Sequence, residues 1–106
     1  MRRALLVSLL LTTACSPSAS SWNRKGFELA QAGRYADAVA AYGKAVEINP
    51  GLADAHYNMG LNYLRLRHPD QAAACFRKAL DLQPGDVEAS RGLTLANRAL
   101  ANRLTP

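Results

Sequence analysis

An internal repeat with a period of 34 residues limits the folds that this chain can adopt. When the sequence is shifted by that period without a gap, small residues meet small residues, aromatic residues meet aromatic residues, and proline meets proline. The matched pairs are Gly26 with Gly60, Ala38 with Ala72, Tyr42 with Phe76, Ala45 with Ala79 and Pro50 with Pro84. A fixed period of roughly 20–50 residues is the signature of proteins in which stacked copies of one unit bury a continuous core.

Each period carries two helical patterns. Apolar residues at helical spacing predict four helices, over 22–31, 35–48, 53–66 and 69–82. Gly33 follows the first pattern, and segments with proline and glycine follow the second and fourth at 49–51 and 83–85. Asp86 is placed to cap a fifth helix that ends near Arg103. The sequence therefore predicts an all-α chain.

These positions resemble the tetratricopeptide repeat, a helix–turn–helix unit of 34 residues, over residues 19–52 and 53–86. The first repeat matches the family pattern at Trp22, Gly26, Tyr35, Ala38, Tyr42, Ala45 and Pro50. The second matches at Tyr57, Asn58, Met59, Gly60, Tyr63, Ala72, Phe76, Ala79 and Pro84. The resemblance implies a right-handed α-solenoid within residues 22–104, made of two helix–turn–helix pairs and a capping helix over 87–103.

The chain departs from the family pattern in the second turn and after the second repeat. Arg67 replaces the turn glycine, which costs roughly 1 kcal/mol if that residue must be left-handed. The period fails from Val87 on, where Thr94 takes the place of the glycine. Two pairs and a cap are also fewer than the three repeats that independent stability generally needs. We therefore expect the chain to pair with itself, to be stabilised by a partner, or to have low stability.

The first residues have the pattern of a bacterial export signal. Arg2 and Arg3 precede a mostly apolar stretch over 4–11 and a small-residue exit at 12–14. That stretch is too short to cross a bilayer, which takes about 20 residues in a helix. The pattern predicts a signal peptide over 1–14.

Leu11-Thr12-Thr13-Ala14-Cys15 resembles the lipobox of bacterial lipoproteins, although Thr12 stands where an aliphatic residue is usual. The resemblance implies lipid on Cys15, a flexible polar tether over 15–21, and a protein held in the outer membrane facing the periplasm. Ordinary signal peptidase cleavage, after Ala14 or near Ser20, is the alternative. It would leave a soluble periplasmic or secreted protein.

The family analogy also places a partner-binding groove on the first helix of each pair. The expected groove residues are Asn23, Phe27, Tyr57, Asn58, Leu61, Arg65 and Arg91. Aromatic and aliphatic side chains with a few amides and arginines suit an extended peptide or a helix of an envelope protein. For Tyr57, Asn58 and Leu61, the competing interpretation is packing within the repeat itself.

One well-known use of this fold is a clamp of lysines and asparagines for a C-terminal carboxylate, and the sequence argues against it here. Only Asn58 matches the clamp, because Asn23, Phe27, Glu88 and Gly92 occupy its other places.

No residue pattern points to catalysis, a metal or a cofactor. His56 and His68 lack acidic or cysteine partners at ligand spacing. The formal net charge of +5 includes Arg2 and Arg3 of the leader, so nucleic acid is not an expected partner. Cys75 is expected to be a small buried apolar residue. We expect a protein–protein adaptor or assembly factor of the cell envelope, with a self-associating module such as a homodimer as the alternative.

Overall fold

The computed structural model describes residues 16–103 of the chain. They form five helices: α1 (Ala19–Gln31), α2 (Tyr35–Ile48), α3 (Ala53–Arg65), α4 (Pro69–Leu82) and α5 (Val87–Arg103). All regular secondary structure in this range is helical, so the predicted all-α class is confirmed. The predicted signal peptide over 1–14 and the predicted lipid-bearing Cys15 lie outside the described residues.

The helices stack in chain order. Each helix packs against the next, and the other helix contacts join α1 to α3 and α3 to α5. Short turns connect α1 with α2 and α3 with α4, as the helix–turn–helix prediction requires. The contacts between α1, α3 and α5 place these three helices side by side on one surface of the stack, which is where a repeat protein presents its concave face.

The first helix begins earlier than the sequence suggests. Ser18 caps α1, because its Oγ accepts a hydrogen bond from the backbone N–H of Ser21 at 3.1 Å. The predicted tether over 15–21 is therefore too long at its C-terminal end, and Ala19–Ser21 belongs to the first helical turn. A serine-rich segment has no apolar periodicity, so its capping capacity was overlooked. The predicted cap of α5 is confirmed, since Asp86 Oδ1 accepts from the N–H groups of Glu88 and Ala89.

The same turn occurs twice, once with glycine and once with arginine. Gly33 lies at φ 77° after α1, and Arg67 lies at φ 62° after α3. Each donates its backbone N–H to the carbonyl three residues earlier, Ala30 and Leu64, at 3.0 and 3.1 Å. The left-handed conformation expected for Arg67 is confirmed, and it costs about 1 kcal/mol relative to glycine.

Two fully buried aromatic rings fill the space inside the pairs. Tyr42 packs over Gly26, and Phe76 packs over Gly60. A methyl group added at either glycine would lie 2.7 Å from a ring carbon, closer than real contacts allow. The predicted pairing of a small residue with an aromatic one is thus a direct contact within each pair. Buried alanines complete the core: Ala38, Ala41, Ala45, Ala53, Ala55, Ala72, Ala73, Ala79, Ala89 and Ala96.

The closing helix meets this core through a glycine that the repeat alignment does not mark. Thr94 does replace the repeat glycine, and its hydroxyl donates to the carbonyl of Ser90 at 3.0 Å. Two residues earlier, Gly92 is buried against the same edge of Phe76 that Gly60 contacts from α3. The period is therefore lost at position 94, but a close approach to the aromatic ring is kept at position 92.

We predict that Gly92→Ala destabilises the fold. The added methyl group would collide with Phe76, whose ring cannot move away because Gly60 is against it, so the free energy of unfolding should fall by about 2 kcal/mol. Gly43→Ala is the matched control, since nothing lies within 4 Å of its added methyl group. Because alanine favours helix over glycine, that variant should gain about 0.5–1 kcal/mol. Urea unfolding of both variants measures the difference, and equal changes would contradict the role of Gly92.

Candidate functional site

A cleft of about 450 Å³ lies on the surface shared by α1 and α3. It brings together four of the predicted groove residues: Phe27, Asn58, Leu61 and Arg65. Its other lining residues are Ala30, Gln31, Tyr35, Tyr42, Asn62 and Leu64. Residues separated by one repeat period thus meet at one site, because α1 and α3 occupy equivalent places in successive pairs.

Two large apolar side chains at this cleft are open to solvent. Phe27 is 55% exposed and Leu61 is 37% exposed, although the core beneath them is closed by alanines and aromatic rings. Their side chains are therefore not needed to complete the packing of the pairs. Covering a side chain of this size with a partner is worth about 1.5–3 kcal/mol if burial is complete. The cleft can bind an apolar side chain of another molecule.

Asn62 is a polar cleft residue that the sequence analysis missed. It is only 5% exposed, and its Nδ2 donates to the backbone carbonyl of Asn58 at 2.7 Å. Its Oδ1 is buried and accepts no hydrogen bond from the described residues. A buried acceptor without a donor is uncommon and needs an explanation. The available signal was its position, one helical turn after Asn58 on the face that lines the groove.

Arg65 closes one end of the cleft. Its guanidinium carbon lies 5.8 Å from the centre of the Tyr35 ring, within the range of a cation–π contact. The contact is made by the charged end of the side chain, and Arg65 as a whole remains exposed.

Tyr57 and Asn23, two other predicted groove residues, do not line this cleft. The Tyr57 ring packs on Phe76 of α4, with ring centres 5.8 Å apart, because α3 and α4 pack against each other within the pair. Burial, together with the negative charges of Glu88 and Asp86, raises the pKa of its hydroxyl. Asn23 is half-buried, and its Oδ1 also has no hydrogen-bond donor among the described residues.

Arg91 lies apart from the other predicted groove residues. It lines a shallow depression of about 360 Å³ on α5 with Val87, Ser90, Thr94 and Leu95. Its guanidinium group is 3.3 Å from the Glu88 carboxylate. The structure thus places Arg91 in a different depression from Phe27, Asn58, Leu61 and Arg65.

A second cleft, of about 550 Å³, adjoins the first through the two residues they share, Leu64 and Arg65. Its remaining lining residues are Arg67, Pro69, Ala99, Asn102 and Arg103. The end of α5 and the turn before α4 meet here, since Arg103 Nη2 donates to the Arg67 carbonyl at 2.8 Å.

Comparison with known families agrees with this architecture. A model described as TPR repeat matches residues 26–66, and one described as tetratricopeptide repeat matches residues 53–86. Together they cover more than half of the chain. This chain belongs to the tetratricopeptide repeat family.

Similar proteins share the repeat, and this chain spans only a small part of the first one named here. The Hsp70-Hsp90 organizing protein of Triticum aestivum is 34% identical over 80 residues, which are 76% of this chain and 14% of that protein. The crystal structure of the MamA protein has a TM-score of 0.78 at 27% identity and covers 81% of this chain and 47% of that one. The second tetratricopeptide repeat domain of Spaghetti (RPAP3), bound to the HSP90 peptide SRMEEVD, has a TM-score of 0.78 at 20% identity. It covers 80% of this chain and 79% of that one.

No group of three or more histidine, cysteine, aspartate or glutamate side chains within residues 16–103 is placed to hold a metal ion. Over the same range, no helix has the length and hydrophobicity that crossing a membrane requires.

Cys75 is half-buried on α4 rather than fully buried as expected. Burial in this position raises the pKa of its thiol from 9.0 to about 11. The uncharged thiol is therefore favoured, and only the thiolate is a nucleophile. Because the folded-state pKa is the higher one, this group stabilises the fold below pH 9.0, and the contribution is lost as the pH rises through about 11.

We predict that Cys75 alkylates slowly in the native protein. At pH 8 the thiolate fraction should be about a hundredfold lower than in the unfolded chain, and iodoacetamide modification should slow accordingly. Mass spectrometry of the Cys75 peptide gives the rate without interference from Cys15. The same reaction in urea serves as the control, and equal rates in both conditions would contradict the predicted burial effect.

Proposed function

We propose that this tetratricopeptide repeat protein is an adaptor that binds a peptide or helix of another protein in the cleft between α1 and α3. One observation carries the proposal: Phe27 and Leu61 present large apolar surfaces to one cleft while the core beneath them is already complete. An apolar side chain of the partner would enter between them. Repeat solenoids characteristically bind partners on such surfaces.

Asn58 and Asn62 supply the polar part of the cleft. The Asn62 Oδ1 has no donor among the described residues, and a backbone N–H group of a bound segment would satisfy it once the buried side chain turns toward the cleft. Leaving such a buried acceptor unpaired costs roughly 1–3 kcal/mol, so a partner that pairs it gains affinity. The cleft thus combines an apolar anchor with a hydrogen bond to main chain, which suits peptides rather than small metabolites.

The solved structures that resemble this chain support the peptide class. Two tetratricopeptide repeat domains of Spaghetti (RPAP3) are bound to the HSP90 peptide SRMEEVD. In this chain, Asn23, Phe27, Glu88 and Gly92 occupy places where the carboxylate clamp of the family needs lysine, asparagine or arginine. The partner is therefore not expected to be recognised through that clamp.

We also propose that the protein is exported and tethered to the membrane by lipid on Cys15, with its cleft facing the periplasm. Residues 1–15 support this through their charged start, apolar stretch and lipobox-like end. A diacylglyceryl group and a further acyl chain would provide the two hydrophobic anchors that stable attachment needs. An adaptor held in this way would act as an assembly factor for envelope proteins.

Self-association is the second candidate function. Val87 is 61% exposed and Leu95 is 52% exposed on the face of α5 that no described helix covers. A second copy could cover this face, in which case stability would depend on protein concentration.

We predict that a photoreactive residue placed in the cleft crosslinks to a single partner protein, the client. Phe27 is the best position, because p-benzoylphenylalanine resembles the native side chain and would project into the cleft of the full-length protein in its own membrane. The expected result is one heavier adduct whose partner mass spectrometry identifies. Ala40 is the matched control, since it is exposed on α2 and lies outside the cleft.

The control decides what the adducts mean. The same adducts from positions 27 and 40 would show non-specific contact and contradict the cleft assignment. An adduct at twice the monomer mass would support the self-associating alternative, and a folded protein with no adduct would contradict both.

We predict that a fatty-acid probe labels the protein at Cys15. Cells grown with an alkyne fatty acid should label the wild-type protein and not Cys15→Ala. Cys75→Ala is the matched control and should keep the label, because it removes the other cysteine of the chain. A wild-type protein without label, or a labelled Cys15→Ala variant, would contradict lipid attachment and favour ordinary signal peptidase cleavage.

A further inference from the structure

The second cleft concentrates positive charge. Arg65, Arg67 and Arg103 all line it, and they come from the end of α3, the following turn and the end of α5. Within residues 16–103, none of the three is within ion-pair distance of a carboxylate, while Arg34, Lys44 and Arg91 each have an acidic neighbour three residues away. The described residues therefore leave these three positive charges without a paired carboxylate.

The helix dipole also accounts for the positions of two of these arginines. Arg65 and Arg103 lie in the last turns of their helices, where a positive charge also interacts favourably with the helix dipole. Arg67 is different, because it holds a left-handed backbone conformation that Gly33 adopts without strain in the equivalent turn. Backbone strain kept at one residue is typical of positions that serve a function.

Contacts with the rest of the chain hold two of the three guanidinium groups, those of Arg103 and Arg65. The Arg67 carbonyl accepts a hydrogen bond from Arg103 Nη2, which links positions 36 residues apart. Arg65 is steadied by its contact with Tyr35. Because Leu64 and Arg65 line both clefts, the arginine-lined cleft is next to the cleft that holds Phe27 and Leu61.

We propose that the second cleft binds carboxylate side chains of the partner segment whose apolar residue occupies the first cleft. This inference rests on the proposed function and names the chemistry of the partner: an acidic segment next to an apolar anchor. Guanidinium groups bind carboxylates through paired, charge-assisted hydrogen bonds. Because the two clefts are neighbours that share Leu64 and Arg65, one extended peptide is favoured over a separate anionic ligand.

The site is not the carboxylate clamp of the family. The clamp positions are 23 and 27 on α1, 58 on α3, and 88 and 92 in the first half of α5. Arg65 and Arg103 lie instead at the ends of α3 and α5, and Arg67 lies in the turn that follows α3.

Two synthetic peptides test the proposal with the full-length protein. Both peptides carry leucine and phenylalanine in the centre. In one peptide glutamate flanks this centre on both sides, and in the other glutamine does. The symmetric flanks allow the peptide to bind in either direction. Fluorescence anisotropy should show the glutamate peptide binding about tenfold more tightly at low salt, with the difference shrinking as salt is added.

Arg67→Gly separates binding from stability. Removing the side chain should weaken the glutamate peptide about threefold and leave the glutamine peptide unchanged. The same variant should raise the melting temperature by about 5 °C, because glycine relieves the left-handed strain. Arg103→Gln should weaken the glutamate peptide similarly. Arg98→Gln is the matched control, because it removes the same charge from an exposed position of α5 outside the cleft.

Three results would overturn the proposal. The two peptides could bind equally, or Arg98→Gln could weaken the glutamate peptide as much as the cleft variants do. The cleft variants could instead lose binding to phosphatidylglycerol vesicles while keeping the glutamate peptide, which would assign the arginines to an anionic lipid. In each case a client crosslinked from position 27 would still support the adaptor function, so the two proposals fail separately.

Discussion

The contact of one phenylalanine ring with two glycines holds the second half of this protein together. Phe76 on α4 is fully buried, and Gly60 on α3 and Gly92 on α5 approach the same edge of its ring. Neither helix could come so close if it carried a side chain at that position. The position of α5 therefore depends on this contact, and so does the placement of Arg103 against the Arg67 carbonyl. The shape of the charged cleft follows from core packing.

The remaining core is built almost entirely from alanine. Among the buried hydrophobic residues of the described chain, only Tyr42 and Phe76 are large. Alanine lets helices approach closely but buries little apolar area, so each close contact contributes a small amount to stability. Larger side chains such as Trp22, Leu29, Tyr63 and Leu93 pack around this core while partly exposed. Since the core is closed without them, Phe27 and Leu61 are free to serve a partner.

The repeat period explains how much of the fold could be predicted. Helical spacing and breakers place all five helices, because the 34-residue match constrains both pairs at once. Individual side chains were harder to place. Tyr57 lies on the predicted face of α3, but whether it meets solvent or Phe76 depends on how closely α4 packs against α3. The hydrogen bond between Arg103 and Arg67 joins residues 36 apart and leaves no local pattern in the sequence. The second cleft could therefore be found only from the structure.

Native-state hydrogen exchange of the full-length protein tests most directly whether the ring of Phe76 couples the helices. Amide protons in α3, α4 and α5 should exchange with one common opening free energy, close to that of global unfolding, because separating any of these helices exposes the ring. If the amides of α5 instead exchange through a separate opening of much lower free energy, the closing helix is only loosely attached. That result would contradict both the role of Gly92 and the fixed geometry of the arginine cleft.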